Sequence, residues 1–228
     1  MKKLVCIGGG EIPRYKNGLL LPYETRKIDE EIVRLSNKTN PKFLFISIAS
    51  SHPDEYFEGI KKIYEELGCI VSHLNTNKSY NDIKKDILNT DIIYIGGGNT
   101  KYLMEQLKEK EIDKLLIEAY KNGIVCSGLS AGSYCWFNCN YDLIEGMNVI
   151  NAVSCVHYDQ KDEIAKEKLY NVVKEKDLTG YAIDNCVALE FIDDNVKVIK
   201  SNNNRKAYKI DYINNKIIEK IISDNKTD

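Results

Sequence analysis

The stretch Ile124-Val125-Cys126-Ser127-Gly128-Leu129-Ser130-Ala131-Gly132 decides how the rest of the chain is read. It opens as a short apolar run of the strand type, and residues 131–137 begin a helix pattern. A serine therefore stands between strand and helix, with glycine two places away on either side. A turn that sharp strains the residue at its apex and brings strand and helix so close that the flanking positions have no room for a side chain. Gly128 and Gly132 meet that demand, so Ser130 is the candidate nucleophile. The N–H of Ala131 just behind it is placed to donate to a developing oxyanion. A plain glycine-bounded turn is the alternative for the same residues.

Upstream, β-branched runs at 4–7, 42–48, 70–74 and 91–95 alternate with amphipathic helix patterns at 23–37, 53–67, 81–88 and 100–121. That alternation predicts an α/β fold of three layers around a mainly parallel sheet. Such sheets bind ligands beyond the carboxyl ends of their strands. Gly8-Gly9-Gly10, Ala49-Ser50-Ser51, Gly96-Gly97-Gly98 and residues 128–132 each follow a predicted strand, so four loops are expected along one edge. Downstream, a helix at 162–174 precedes strands at 182–192, 196–201, 206–210 and 216–222, which predict a C-terminal antiparallel extension. Asn202-Asn203-Asn204 and Ile213-Asn214-Asn215 suit the turns between them, because asparagine tolerates left-handed backbone. Residues 225–228 are expected to fray. Without linker, repeat or low-complexity tract, the 228 residues are expected to form a single domain, 1–228.

Composition narrows the partners. There are 32 basic and 34 acidic side chains, a formal net charge of -2, which creates no field to draw in polyanions, so nucleic acid is not an expected partner. The mean hydropathy is -0.38 and the N-terminal stretch turns glycine-rich before an apolar signal core develops. A cytoplasmic protein off the membrane is expected. Seven cysteines, an odd number mostly within apolar stretches, read as reduced core thiols. Cys135, Cys139 and Cys155 lack the paired ligand spacing of a zinc site, so no metal is expected.

A serine needs a base at neutral pH, and the choice is among His52, His73 and His157. His157 is favoured, because it lies in a loop-like stretch downstream of the serine, whereas His73 sits within a predicted strand and His52 precedes Pro53. Gly96-Gly97-Gly98-Asn99-Thr100 follows a strand and precedes a helix, so its amides offer a second oxyanion donor. As a phosphate loop it lacks the Lys-Ser/Thr pair and the full dinucleotide glycine spacing.

The order of these pieces, the 96–100 loop, the 128–132 elbow, the His157 loop and Ile183-Asp184-Asn185, resembles the peptidase E or S51 serine peptidases, which include aspartyl dipeptidases and cyanophycinases. The resemblance implies a fold similar to class I glutamine amidotransferases, with serine in place of cysteine. It implies Ser130 as nucleophile, His157 as general base and acid, and the amides of Gly98 and Ala131 as oxyanion hole, with no cofactor. The substrate would be a small peptide, and the protein a monomer or small homo-oligomer. An esterase or acyl transferase would use the same parts, and a binding module would keep the fold without a competent triad. Two departures stand out. Asn185, beside Asp184, occupies the position where many members carry glutamate, which leaves Asn185, Asp184 and Asp142 as candidates to orient His157. The stretch 158–176 contains no arginine to pair with a substrate carboxylate, so an N-terminal aspartate is not expected to be required.

Overall fold

The computed structural model describes residues 1–13, 15–16 and 19–223. The expectation for residues 225–228 lies outside them. In chain order the strands are β1 (Lys3–Ile7), β2 (Tyr15–Lys16), β3 (Leu19–Leu20), β4 (Lys42–Ile46), β5 (Ile70–His73), β6 (Ile92–Ile95), β7 (Val125–Leu129), β8 (Phe137–Asn140), β9 (Ile150–Val156), β10 (Gly180–Ile183), β11 (Val187–Ile192), β12 (Asn195–Lys200), β13 (Ala207–Ile213) and β14 (Lys216–Ile221). The α-helices are α1 (Arg26–Leu35), α2 (Pro53–Glu66), α3 (Tyr80–Leu88), α4 (Thr100–Glu109), α5 (Ile112–Lys121), α6 (Ala131–Tyr134) and α7 (Glu163–Lys176).

The main sheet has the order β12-β11-β1-β7-β6-β4-β5. Strands β1, β7, β6, β4 and β5 run parallel, and β11 and β12 add antiparallel at one edge. Alternation sends Val5, Ile7, Phe43 and Phe45 to the face covered by α1 and α2, and Leu4, Cys6, Leu44 and Ile46 to the face covered by α3, α4 and α5. Both faces of β1, β4 and β6 are buried, which is why these strands read as continuous apolar runs, whereas β5 at the sheet edge is half exposed.

A second sheet, ordered β14-β13-β10-β9-β8, stacks its apolar side on α7 through Val153, Cys155, Ala182, Leu169 and Val173. Asn214 and Asn215 both take positive φ, 52° and 62°, in the two-residue turn between β13 and β14. Their short side chains tolerate that conformation.

Three elements differ from the sequence reading. The helix expected at 100–121 is two helices, parted at Glu111, whose φ is 55°. The helix begun at 131 stops after one turn and gives way to β8, and neither β8 nor β9 was expected. The strand expected at 182–192 is two strands in different sheets: β10 lies beside β9, and β11 lies beside β1. The chain changes sheet at Asp184-Asn185-Cys186, where Cys186 has a φ of 62°. All seven cysteines are buried free thiols. Among the described residues, no helix is long and apolar enough to cross a membrane.

Candidate active site

Strand β7 runs straight into Ser130, which has φ 55° and ψ -112°, a strained conformation for a residue with a side chain. The strain is held from both sides. A Cβ on Gly128 would stand 2.0 Å from the Gly132 carbonyl oxygen, and one on Gly132 would stand 2.0 Å from that of Ile95. The Ser130 N–H donates to Ile7 O at 3.1 Å, while its carbonyl accepts the amides of Ser133 and Tyr134 that start α6.

The second sheet delivers the candidate base. His157 follows directly on β9, takes a φ of 52°, and donates its backbone N–H to Gly8 O at 3.0 Å. Its Nε2 lies 2.8 Å from Ser130 Oγ and its Nδ1 lies 2.7 Å from Asn185 Oδ1. An amide oxygen only accepts, so the imidazole proton sits on Nδ1, and Nε2 is left to accept the serine hydroxyl. Gly9 backs this contact: a Cβ there would meet Asn185 Oδ1 at 2.0 Å and His157 Nδ1 at 2.3 Å. The same loop ties the two arms together, since Cys186 N–H donates to Gly9 O at 2.8 Å and Gly8 N–H to Val187 O at 2.9 Å.

Of the three candidates to orient His157, only Asn185 reaches it. Asp184 is buried but turns its carboxylate to the Lys206 N–H at 2.8 Å. Burial pushes its carboxyl up, and the nearby Asp159 adds to that, against the hydrogen bond from Lys206. Asp142 is exposed in the connection between β8 and β9 and lies 3.4 Å from Lys168 Nζ. Two residues that the sequence reading did not single out complete the surroundings. Asp159 Oδ1 accepts the Asn185 backbone N–H at 2.7 Å and its Oδ2 accepts the Asn185 Nδ2–H at 3.2 Å, while Arg205 NH1 donates to the same Oδ2 at 2.5 Å. The signal available was an acidic residue two places after the candidate histidine.

On the other side, the 96–98 loop lies against the serine: a Cβ on Gly97 would stand 3.2 Å from Ser130 Cβ. Among the described residues, no acceptor takes the amide of Gly98 or of Ala131. A cavity of about 400 Å³ opens in front, lined by Ser130, His157, Gly98, Leu129, Tyr56 and Glu55 among others. That volume suits a ligand of dipeptide scale. Three lysines of the stretch after His157 are engaged away from it: Lys161 with Tyr141, Lys166 with Glu163, and Lys168 with Asp142.

A second serine–histidine contact provides a comparison. Ser47 Oγ, just past the end of β4, lies 2.6 Å from Nε2 of His73, the last residue of β5. Phe57 stacks on that imidazole, with ring centroids 4.4 Å apart, and burial pulls its pKa down. Ser47 carries no elbow strain: it is absent from the positive-φ residues.

The family model of peptidase family S51 matches residues 19–199. Over 230 residues, 96% of each chain, the sequence is 30% identical to the "Uncharacterized peptidase YgaJ" of Bacillus subtilis (strain 168). It is 35% identical over 133 residues, 58% of each chain, to "Peptidase E" of Haemophilus influenzae. In fold it is similar to the crystal structure of a peptidase from an acI-B1 Actinobacterium, with a TM-score of 0.71 at 19% identity, covering 95% of this chain and 93% of that one. A putative peptidase E protein from Listeria monocytogenes EGD-e gives a TM-score of 0.67 at 23% identity, covering 88% and 98%.

Proposed function

The chain belongs to peptidase family S51, and on that premise we propose that it is a serine-type peptidase that cleaves small peptides through a Ser130 acyl-enzyme. The observation that carries this reading is the unbroken line Ser130 Oγ, His157 and Asn185 Oδ1, with steps of 2.8 and 2.7 Å, facing a cavity of about 400 Å³.

In this reading, Ser130 Oγ attacks the substrate carbonyl carbon as its proton passes to His157 Nε2. The carbonyl oxygen takes the negative charge and is met by the N–H groups of Gly98 and Ala131. As the C–N bond breaks, the imidazolium returns the proton to the leaving amine, and the acyl-enzyme remains. Water then repeats the sequence with His157 as base, releasing the acid and restoring Ser130. Asn185 holds the tautomer but brings no charge of its own. The cavity size supports short substrates, and the absence of an arginine in 158–176 supports a specificity that does not require an N-terminal aspartate.

The test is Ser130→Ala assayed on a dipeptide library with product mass analysis. Turnover is expected to fall by about 10³-fold or more while folding is kept. Near-normal hydrolysis by the variant would remove Ser130 from the reaction. Cleavage confined to Asp-Xaa dipeptides would overturn the specificity.

A further inference from the structure

We infer that Asp159, backed by Arg205, is a positioning residue that gives the His157–Asn185 pair the fixed orientation and the negative charge that a triad carboxylate would supply directly. This rests on the reading of Ser130 as nucleophile and His157 as base.

An asparagine side chain has two ends of nearly the same shape, and only the oxygen end can accept the imidazole proton. Nothing within Asn185 selects that end. Asp159 does, because a carboxylate only accepts: its Oδ2 takes the Nδ2–H at 3.2 Å and its Oδ1 takes the backbone N–H of the same residue at 2.7 Å. If the amide were reversed, its oxygen would face a carboxylate oxygen and its NH₂ would face the imidazole. The chosen end fixes the proton on His157 Nδ1, and that leaves Nε2 to accept from Ser130. Asp159 thus acts on the serine through two intermediaries.

Charge follows the same line. The Asp159 side chain is only 7% exposed, so its field is weakly screened, and it polarises the amide toward Oδ1, the atom that faces a developing imidazolium. Arg205, 40% exposed and 2.5 Å away, anchors the carboxylate and offsets its burial. The loop that carries Arg205 is pinned to the same turn, since Asp184 N–H donates to Lys206 O at 3.1 Å and Lys206 N–H donates to Asp184 at 2.8 Å. The charged groups around the turn are therefore Asp159, Arg205, Asp184 and Lys206, with Glu24 on the far side beside Cys186. Of these charged groups, only Asp159 hydrogen-bonds Asn185. Asp159 lies in the short turn Tyr158–Gln160 immediately after the base, so one turn holds both ends of the relay.

The experiment measures kcat and KM across pH on a peptide substrate for the full chain, Asp159→Asn, Arg205→Gln and the double variant Asp159→Asn with Asn185→Asp. Ser130→Ala is the blank, and circular dichroism checks folding. Asp159→Asn is expected to lower kcat by between about 10-fold and 100-fold at little change in KM, and to move the acid limb of the kcat profile to lower pH, because the imidazolium loses a negative neighbour. Arg205→Gln should move that limb the opposite way. The double variant should recover most of the loss, because its carboxylate then stands on the imidazole itself. A folded Asp159→Asn with a wild-type kcat and limb, limbs that move in the same direction in both single variants, or no recovery in the double variant would each overturn the inference. Should Asp159→Asn fail to fold, the direction of the Arg205→Gln limb decides. Turnover retained by Ser130→Ala overturns the serine reading and this inference together, whereas Ser130-dependent turnover indifferent to Asp159 overturns the inference alone.

Discussion

Ser130 is held by its neighbours in sequence, Gly128 and Gly132, and by the pairing of β7 with β1 on which it rides. His157 is held by segments from across the chain: Gly8 and Gly9 near the start, Asn185 at the crossing between sheets, and Asp159 and Arg205 behind it. The elbow is a steric device, with backbone packed against backbone and no slack. The arm is a polar device, with side chains that can rotate away while the backbone stays. Damage to the elbow should therefore appear in stability and activity together, and damage to the arm in activity first.

Gly128→Ala offers the largest effect, because the new methyl would have to displace the Gly132 carbonyl from 2.0 Å. A stability loss of roughly 3 kcal/mol and turnover reduced by about 10³-fold are expected, read by urea unfolding and by kcat. A variant that unfolds like wild type would mean that the elbow has slack after all. Gly9→Ala carries an equally close contact, but with the side chains of Asn185 and His157, which can move. It should lower kcat by about 10²-fold with a smaller shift in the unfolding midpoint. Equal stability losses in the two glycine variants would erase the distinction between the halves.

The arm itself is sharpened by three substitutions compared in one assay. Asn185→Ala should reduce kcat clearly, though well short of the roughly 10⁴-fold seen when a triad carboxylate is neutralised. Asp184→Asn should act mainly on stability, through the Lys206 amide it holds, and Asp142→Asn should leave turnover unchanged. A large loss in Asp142→Asn beside a wild-type Asn185→Ala would move the orienting role out of the sheet crossing.

The smallest effect concerns a buried carboxyl under the main sheet, remote from the arm. Asp29 accepts from the Thr25 and Tyr64 hydroxyls, yet burial pushes its pKa from 3.8 up to about 6. The folded chain then holds this proton more tightly than the unfolded chain, so the contribution is complete below about pH 4 and is lost as pH rises through about 6. Summed over the whole window its size is about 3 kcal/mol, with no effect on turnover expected. Unfolding midpoints of wild type against Asp29→Asn between about pH 4 and pH 6.5 should converge on one slope once this group is removed. A wild-type advantage that grows with pH across that window would reverse the sign.

The same contrast explains what could be read from the sequence. The elbow was legible because its demands are met within five consecutive residues, 128–132. The parallel strands β1, β4 and β6 were legible because burial on both faces leaves an unbroken apolar run. Asn185 was reachable only through family resemblance, and the change of sheet there was hidden because residues 182–192 look like one strand when the Asp184-Asn185 turn signal is ignored. The Phe137–Asn140 strand alternates buried and half-buried residues and carries two asparagines, which gives it little strand signature. Arg205 meets Asp159 across 46 residues, a distance that only sheet register closes. The split between α4 and α5 at Lys110-Glu111 has no glycine or proline to announce it.

The central claim is that the line from Asn185 through His157 activates Ser130 and no other serine. A fluorophosphonate probe followed by peptide mapping tests it most directly, because the molecule carries its own control in Ser47, which contacts His73 at 2.6 Å without an elbow. The account predicts a single adduct on Ser130, formed more slowly in Asn185→Ala and absent in Ser130→Ala. An adduct on Ser47, or labelling of Ser130 at an unchanged rate without Asn185, would contradict it.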